Sequence, residues 1–358
     1  YLPEIEIAIQ DRMFDTNGKL YFPNLPTNPM DHPFWTPEFV GDVITVNGKT
    51  WPYLSVAPRK YRFRILNGSN ARTYELFLVN PVTKTYGPAF KQIGTDGGFL
   101  DVPVIIDPVA GQKLVLMPGE RADVIIDFSA SPIGTMWTMR NTGKTPYPAG
   151  TAPNGTTTGR IMQFVVNGQI VGTDNSIIPG TLNTPSLVKL TNFSGGLNVT
   201  PTVKRQLTLN EVMGMGGPLE VLVNNTKWDG NGPLPGLGVT ETPTEGTSEV
   251  WQIINLTADA HPIHLHLVQY QIVSRQKFNK NTYANAYNAA FPGGAYLGGY
   301  GPPFPYDTPN LDGAVGGNPP ITSYLQGPVK PAAPNERGWK DTFIMYPGEV
   351  TTVVVRFA

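Results

Sequence analysis

The sequence predicts an all-β protein built from two copies of one β-sandwich domain. Three observations carry that prediction. Charged residues are only 15% of the 358, against roughly a quarter in average proteins, while 39 glycines and 36 prolines punctuate the chain. Few charges and dense turn formers suit short strands joined by tight connections. β-branched and aromatic runs bounded by Gly, Pro, Asn and Asp recur throughout, and no long stretch shows a 3.6-residue apolar period. Third, the chain repeats three landmarks in the same order, the mark of an internally duplicated fold.

The elements follow in chain order. Val43-Ile44-Thr45-Val46 reads as a strand entering Asn47-Gly48, a type I′ hairpin signal because both central residues must take positive φ. Leu114 to Met117, Val124 to Phe128 and Ile161 to Val166 read as further strands. The repeat pairs Val46-Asn47-Gly48-Lys49-Thr50-Trp51 with Val223-Asn224-Asn225-Thr226-Lys227-Trp228. It also pairs Tyr61 to Asn67 with Val250 to Asn255, and Pro118-Gly119-Glu120 with Pro347-Gly348-Glu349, each Glu preceding a further strand run. A Gly-, Asn-, Thr- and Pro-rich linker falls near Asn167 to Thr184, dividing the chain into domains at 1–170 and 171–358. Asn67 to Pro118 spans 51 residues and Asn255 to Pro347 spans 92. The extra length lies mostly between Lys277 and Arg337 and reads as a long surface loop or lid.

Composition excludes several chemistries. With no cysteine there are no disulfides, Fe–S clusters, thiolate zinc sites or thiol catalysis. A net charge of −1 gives no electrostatic reason to expect nucleic acid or an anionic membrane as partner. No run of about 18 apolar residues predicts a membrane span, and no signal peptide is visible. The start at Tyr1 rather than Met and the stop within a β-rich run at Ala358 predict part of a longer or processed polypeptide.

Three of the four histidines lie in His261-Pro262-Ile263-His264-Leu265-His266. Imidazole is the commonest protein ligand for transition metals and suits copper, zinc, iron or nickel. On an extended strand His264 and His266 share one face and can serve one metal centre or two adjacent ones. Ile263, Leu265 and Leu267 take the other face and can enter the core. His261, before a proline, sits at the strand entrance and is free to face a separate metal. Counted from Asn255 the histidines lie at +6, +9 and +11; the same offsets from Asn67 give Thr73, Leu76 and Leu78. The sandwich therefore does not need histidine there to fold. A mononuclear zinc site on these residues would need a third or fourth ligand and a base. Asp259 is near in sequence but reads as a cap. His32 reads as structural, and Met213-Gly214-Met215 is weak evidence for thioether ligands. Asn67, Asn192, Asn198 and Asn255 each begin a glycosylation tripeptide of the kind that arises often by chance.

The histidine run resembles the HPxHLH motif of the multicopper oxidases. Trp51-Pro52-Tyr53-Leu54, Pro58 to Arg64, Ile93 to Gly98, Pro118 to Asp123 and Gly338-Trp339-Lys340-Asp341-Thr342 resemble the spore-coat-type bacterial laccases and their bilirubin oxidase and phenoxazinone synthase relatives. The resemblance implies cupredoxin-like Greek-key sandwiches, three per complete member. The two here stand for the second domain, without copper ligands, and most of the third, which carries the HPxHLH motif. It implies four coppers per complete member: a type 1 copper that collects electrons and a trinuclear cluster that reduces O2 to water. His261 would bind type 1 copper, His264 the type 2 copper and His266 one of the type 3 pair. The family's first-domain His-x-His pairs and its C-terminal HCHxxxH segment have no counterpart here, so three ligands alone assemble neither centre. The implied partners are O2, a small reducing substrate and a missing first domain or companion chain. Phenols, aromatic amines, bilirubin-like pigments and metal ions all fit as reductant, and the segment Lys277 to Arg337 is placed to shape that choice. An extracytoplasmic or spore-coat location follows from the resemblance only. The contrasting expectation is a copper-poor cupredoxin pair with a structural or interaction role.

Overall fold

Two β units are built from the patterns above: burial alternates along Lys60–Asn67 and Tyr74–Val79 of the first, whereas Ser248–Asn255 and Glu349–Arg356 of the second are buried on nearly every residue. The computed structural model describes residues 3–23, 38–169, 174–182, 188–214, 217–227 and 239–357. The protein divides into two units, each described here by itself. Unit 1 comprises Tyr1–Pro23, Glu38–Leu187 and Gly338–Phe343; the described residues of unit 2 lie within Val188–Arg337 and Ile344–Ala358. His32, Met215 and Trp228 lie outside the described residues.

Unit 1 holds β1 (Glu4–Arg12), β2 (Val43–Val46), β3 (Lys49–Thr50), β4 (Tyr53–Val56), β5 (Lys60–Asn67) and β6 (Tyr74–Val79). It continues with β7 (Phe90–Thr95), β8 (Gly98–Ile106), β9 (Leu114–Leu116), β10 (Arg121–Asp127), β11 (Met136–Asn141) and β12 (Arg160–Val166). One sheet runs β3-β2-β1-β5-β10-β7-β8 and the other β4-β12-β11-β6-β9. Alternate residues of each sheet, among them Ile7, Ile9, Phe63, Ile65, Leu76, Leu78, Val124 and Phe164, fill one core. The expected strands are all present, and Asn47 (φ 50°) and Gly48 (φ 79°) make the expected hairpin turn.

Unit 2 holds β13 (Val203–Gly214), β14 (Gly217–Val223), β15 (Ser248–Asn255), β16 (His261–His264), β17 (Tyr270–Phe278), helix α1 (Lys280–Ala289), β18 (Leu325–Pro331) and β20 (Glu349–Arg356). Its main sheet runs β14-β13-β15-β20-β17-β18, and β16 pairs with β19 (Thr342–Met345), whose Ile344 and Met345 lie in this unit.

The repeat extends to single atoms. β1 pairs parallel with β5 and β13 parallel with β15, with Ile9 opposite Asn67 and Leu209 opposite Asn255. Val46 lies opposite Ile9 and Val223 opposite Leu209. The following asparagine, Asn47 or Asn224, accepts on its side chain from the backbone N–H of Ala8 (2.8 Å) or Thr208 (2.9 Å). Asn67 is fully buried; its Nδ2 donates to the carbonyls of Arg72 and Leu116, and its Oδ1 accepts from Ser69 N–H. Asn255 does the same with Asp259, Met345 and Thr257. These asparagines are structural knots, so the tripeptides they begin are not accessible glycan acceptors.

One expectation is corrected. The segment Lys277 to Arg337 is not a plain surface loop. It contains α1, capped by Asn279, and β18, which joins the main sheet. Tyr283 and Tyr287 of α1 are buried with Phe278, Phe291 and Ile321. Asn318 donates to Gln206 O, Gly316 O and Asn224 Oδ1. Gly316 (φ 123°) passes so close to Gln206 that a Cβ would lie 2.1 Å from its carbonyl oxygen. The aromatic pair on α1 lies among Asn, Ala and Thr, too dilute a stripe to register as helical periodicity.

Candidate metal centre

The knot at Asn255 sets the geometry of His261. Thr257, two residues on, places its Oγ1 at 2.8 Å from Asn255 Oδ1, 3.0 Å from Asp259 O and 2.6 Å from His261 Nε2. Glu211 on β13 brings Oε1 to 3.5 Å from the same nitrogen. His261 opens β16 and is mostly buried; burial pushes its pKa down to about 4, so the ring is neutral at physiological pH. A neutral imidazole with Nε2 engaged keeps Nδ1 for a metal.

His264 and His266 are both exposed, with ring centroids 4.9 Å apart and planes tilted by 58°. His264 and His266 thus lie side by side and exposed, while His261 is mostly buried. The strand reasoning that paired the first two needs correction. β16 ends at His264, and Leu267, at φ 66°, is fully exposed rather than in the core. The pair is therefore held by a strand end and a bend, not by regular alternation.

The offset comparison is also corrected. The knot closes on Arg72, five residues after Asn67, but on Asp259, four after Asn255. The ring matching His261 is therefore Tyr74, not Thr73. Tyr74 OH lies 2.9 Å from Ser69 Oγ, the counterpart of Thr257 Oγ1, and Asp11 occupies the register position of Glu211. Counting on, Phe77 and Val79 replace Leu76 and Leu78. Unit 1 thus folds with no imidazole at the three positions.

Asp259 contributes mainly its backbone, which closes the knot; burial raises its carboxyl pKa, with Lys280 opposing. Met213 is exposed on β13. Glu211 and Thr257 were not singled out as site residues from sequence. The available signal was the recurrence of Asn-x-Ser/Thr at the same landmark in both halves.

Gly338-Trp339-Lys340-Asp341-Thr342 acts as a clamp in unit 1. Trp339 O accepts from Gly97 N–H and Thr95 Oγ1, the buried Lys340 ammonium pairs with Asp96 (2.9 Å) and Glu120 (3.2 Å), and Arg121 pairs with Asp341.

A family model described as "Multicopper oxidase" matches residues 215–358. The chain is 35% identical over 353 residues to Multicopper oxidase LPR1 of Arabidopsis thaliana, covering 98% of this chain and 52% of that protein. It is 34% identical over 357 residues to a laccase of Bacillus subtilis (strain 168), covering 99% and 57%. The crystal structure of the McoA multicopper oxidase from the hyperthermophile Aquifex aeolicus matches at TM-score 0.64 and 23% identity, over 100% of this chain and 59% of that one, which supports the fold. The chain thus spans between half and three-fifths of the length of these relatives.

Proposed function

The chain belongs to the multicopper oxidase family, and from that premise we propose that it forms part of a laccase-like oxidase that couples one-electron oxidation of a small reductant to reduction of O2 to water. The two units are read as the second and third cupredoxin-like domains of that family. The observation that carries the reading is the division of the histidines: one ring recessed against Thr257 and Glu211, two exposed rings side by side.

The residues fit copper. His261 offers Nδ1 from a neutral, mostly buried ring, and His264 with His266 offers two imidazoles within reach of neighbouring ions. Copper, when bound, supplies the one-electron chemistry that joins reductant to O2. The chain's own part is to hold His261 apart from the other two and to fix its orientation through Thr257. Of this chain's residues, His261, His264 and His266 are the three proposed as copper ligands.

The test uses the whole oxidase of which the proposal makes these 358 residues a part, loaded with copper, with metal content by mass spectrometry and O2 uptake driven by a simple methoxyphenol. Four electrons per O2, with loss of uptake and of bound copper in His264→Ala and His266→Ala, is the expected outcome. Stoichiometric copper without O2 uptake, or release of peroxide only, would sink the oxidase reading. Absence of copper binding altogether would favour the structural cupredoxin pair instead.

A further inference from the structure

We propose that Thr257 is a positioning residue that fixes His261 as the Nε2–H tautomer, leaving the Nδ1 lone pair as its metal-binding atom. The tautomer is argued from the hydrogen bonds around Thr257 and from Glu211; the use of Nδ1 rests on the reading of His261 as a copper ligand.

A threonine hydroxyl has one hydrogen to give and two lone pairs. Thr257 Oγ1 has four polar neighbours: Asn255 Oδ1 at 2.8 Å, Asp259 O at 3.0 Å, Asp259 N at 3.3 Å and His261 Nε2 at 2.6 Å. The first two can only accept. The Asn255 amide is fixed in orientation, because its Nδ2 donates to the carbonyls of Asp259 and Met345 while its Oδ1 takes the Thr257 N–H. Given to the ring, the single hydroxyl hydrogen would leave both Asn255 Oδ1 and Asp259 O facing hydroxyl lone pairs; given to either oxygen it leaves only one so placed, and the count favours Thr257 as the acceptor of an Nε2–H. Glu211 Oε1, 3.5 Å from the same nitrogen, is also an acceptor and favours the same tautomer. The opposite tautomer would turn an Nε2 lone pair toward the Glu211 carboxylate and draw the Thr257 hydroxyl hydrogen away from Asn255 Oδ1 and Asp259 O.

Unit 1 provides an internal comparison. Ser69, at the same place after Asn67, bonds the hydroxyl of Tyr74 at 2.9 Å and accepts from Asp11 N–H at 3.0 Å. In both units the hydroxyl two residues after the knot holds the ring that opens the next strand. Where that ring is a histidine, holding it also selects which nitrogen is left to a ligand.

The experiment is a long-range proton–nitrogen correlation spectrum of the metal-free 358-residue chain labelled with 15N histidine, with His261→Gln to assign the ring. Expected are a protonated Nε2 and an unprotonated Nδ1, with the Nε2–H form in about tenfold excess and its proton slow to exchange. Thr257→Ser should keep both features. Thr257→Val, checked for folding by circular dichroism, should lose the slow proton and mix the tautomers. An Nδ1–H ring in the parent, or in Thr257→Ser, overturns the proposal. So does a folded Thr257→Val with an unchanged slow Nε2 proton. Adding Cu(I) then separates the two readings. A shift at Nδ1 supports both. An unshifted Nδ1 beside an intact Nε2–H tautomer supports the positioning role and withdraws support from copper binding by His261 in this chain on its own.

Discussion

Asn67 and Asn255 show how much one buried amide can organise. Each ties the end of a core strand to the turn after it and to the strand before the Pro-Gly-Glu turn. Asn67→Ala strands two buried carbonyls, Arg72 O and Leu116 O, and should cost about 2–4 kcal/mol in a urea melt. A cost near zero would mean that water replaces the amide. A second residue-scale effect is pH-dependent. Lys60 N–H, then Ser176 through its hydroxyl and N–H, hold the Asp174 carboxyl well below the usual carboxylate range. A depressed folded pKa stabilises the fold above the unfolded value of about 3.9, and that contribution is lost as pH falls toward the folded pKa. Asp174→Asn should therefore be less stable than the parent at pH 7, with the gap closing as melts are repeated toward pH 3. A gap that stays constant with pH would contradict the assignment.

At the scale of elements, what the sequence disclosed and what it hid divide along a physical line. Hairpins and core strands were legible because alternation and turn chemistry are local: Asn47-Gly48 announces its turn, and β9, β10 and β12 announce themselves by apolar runs. The pairing of His264 with His266 was legible in part, since the bend at Leu267 that ends the strand depends on packing rather than on propensity. α1 and β18 were not legible, because α1 is buried against distant residues and the largely exposed β18 is defined by its pairing with β17. The same segment ends in a buried ion pair, Arg275 of β17 with Glu336, at 2.6 and 2.7 Å, and Arg275 also donates to Ile344 O. Glu336→Ala leaves that guanidinium buried without its carboxylate and should destabilise the protein by about 3–5 kcal/mol. Glu336→Gln, which keeps an acceptor, should cost less. Equal losses in the two variants would show that packing, not charge, holds this turn.

For the whole molecule, the duplicated architecture with an unduplicated histidine set makes a directional prediction. Among the described residues, the core cluster of unit 1 is made of that unit's own residues, and no histidine occurs in that unit's sequence. If copper binds the native chain through His261, His264 and His266, as proposed, it stabilises whatever unfolds with them. At a free concentration of about 100 Kd the gain is roughly 2.7 kcal/mol, a hundredfold slowing of amides that exchange only through that unfolding. Hydrogen exchange followed by mass spectrometry with and without Cu(II) should therefore slow peptides covering β13, β15, β17 and β20. Peptides covering β1, β5 and β10 should be unchanged. Equal slowing in both sets would mean that the two units unfold as one cooperative body. Slowing confined to 255–266 would mean that the metal orders the knot and β16 without stabilising the sheet. The duplicated knots predict the first result, because each closes hydrogen bonds only within its own unit.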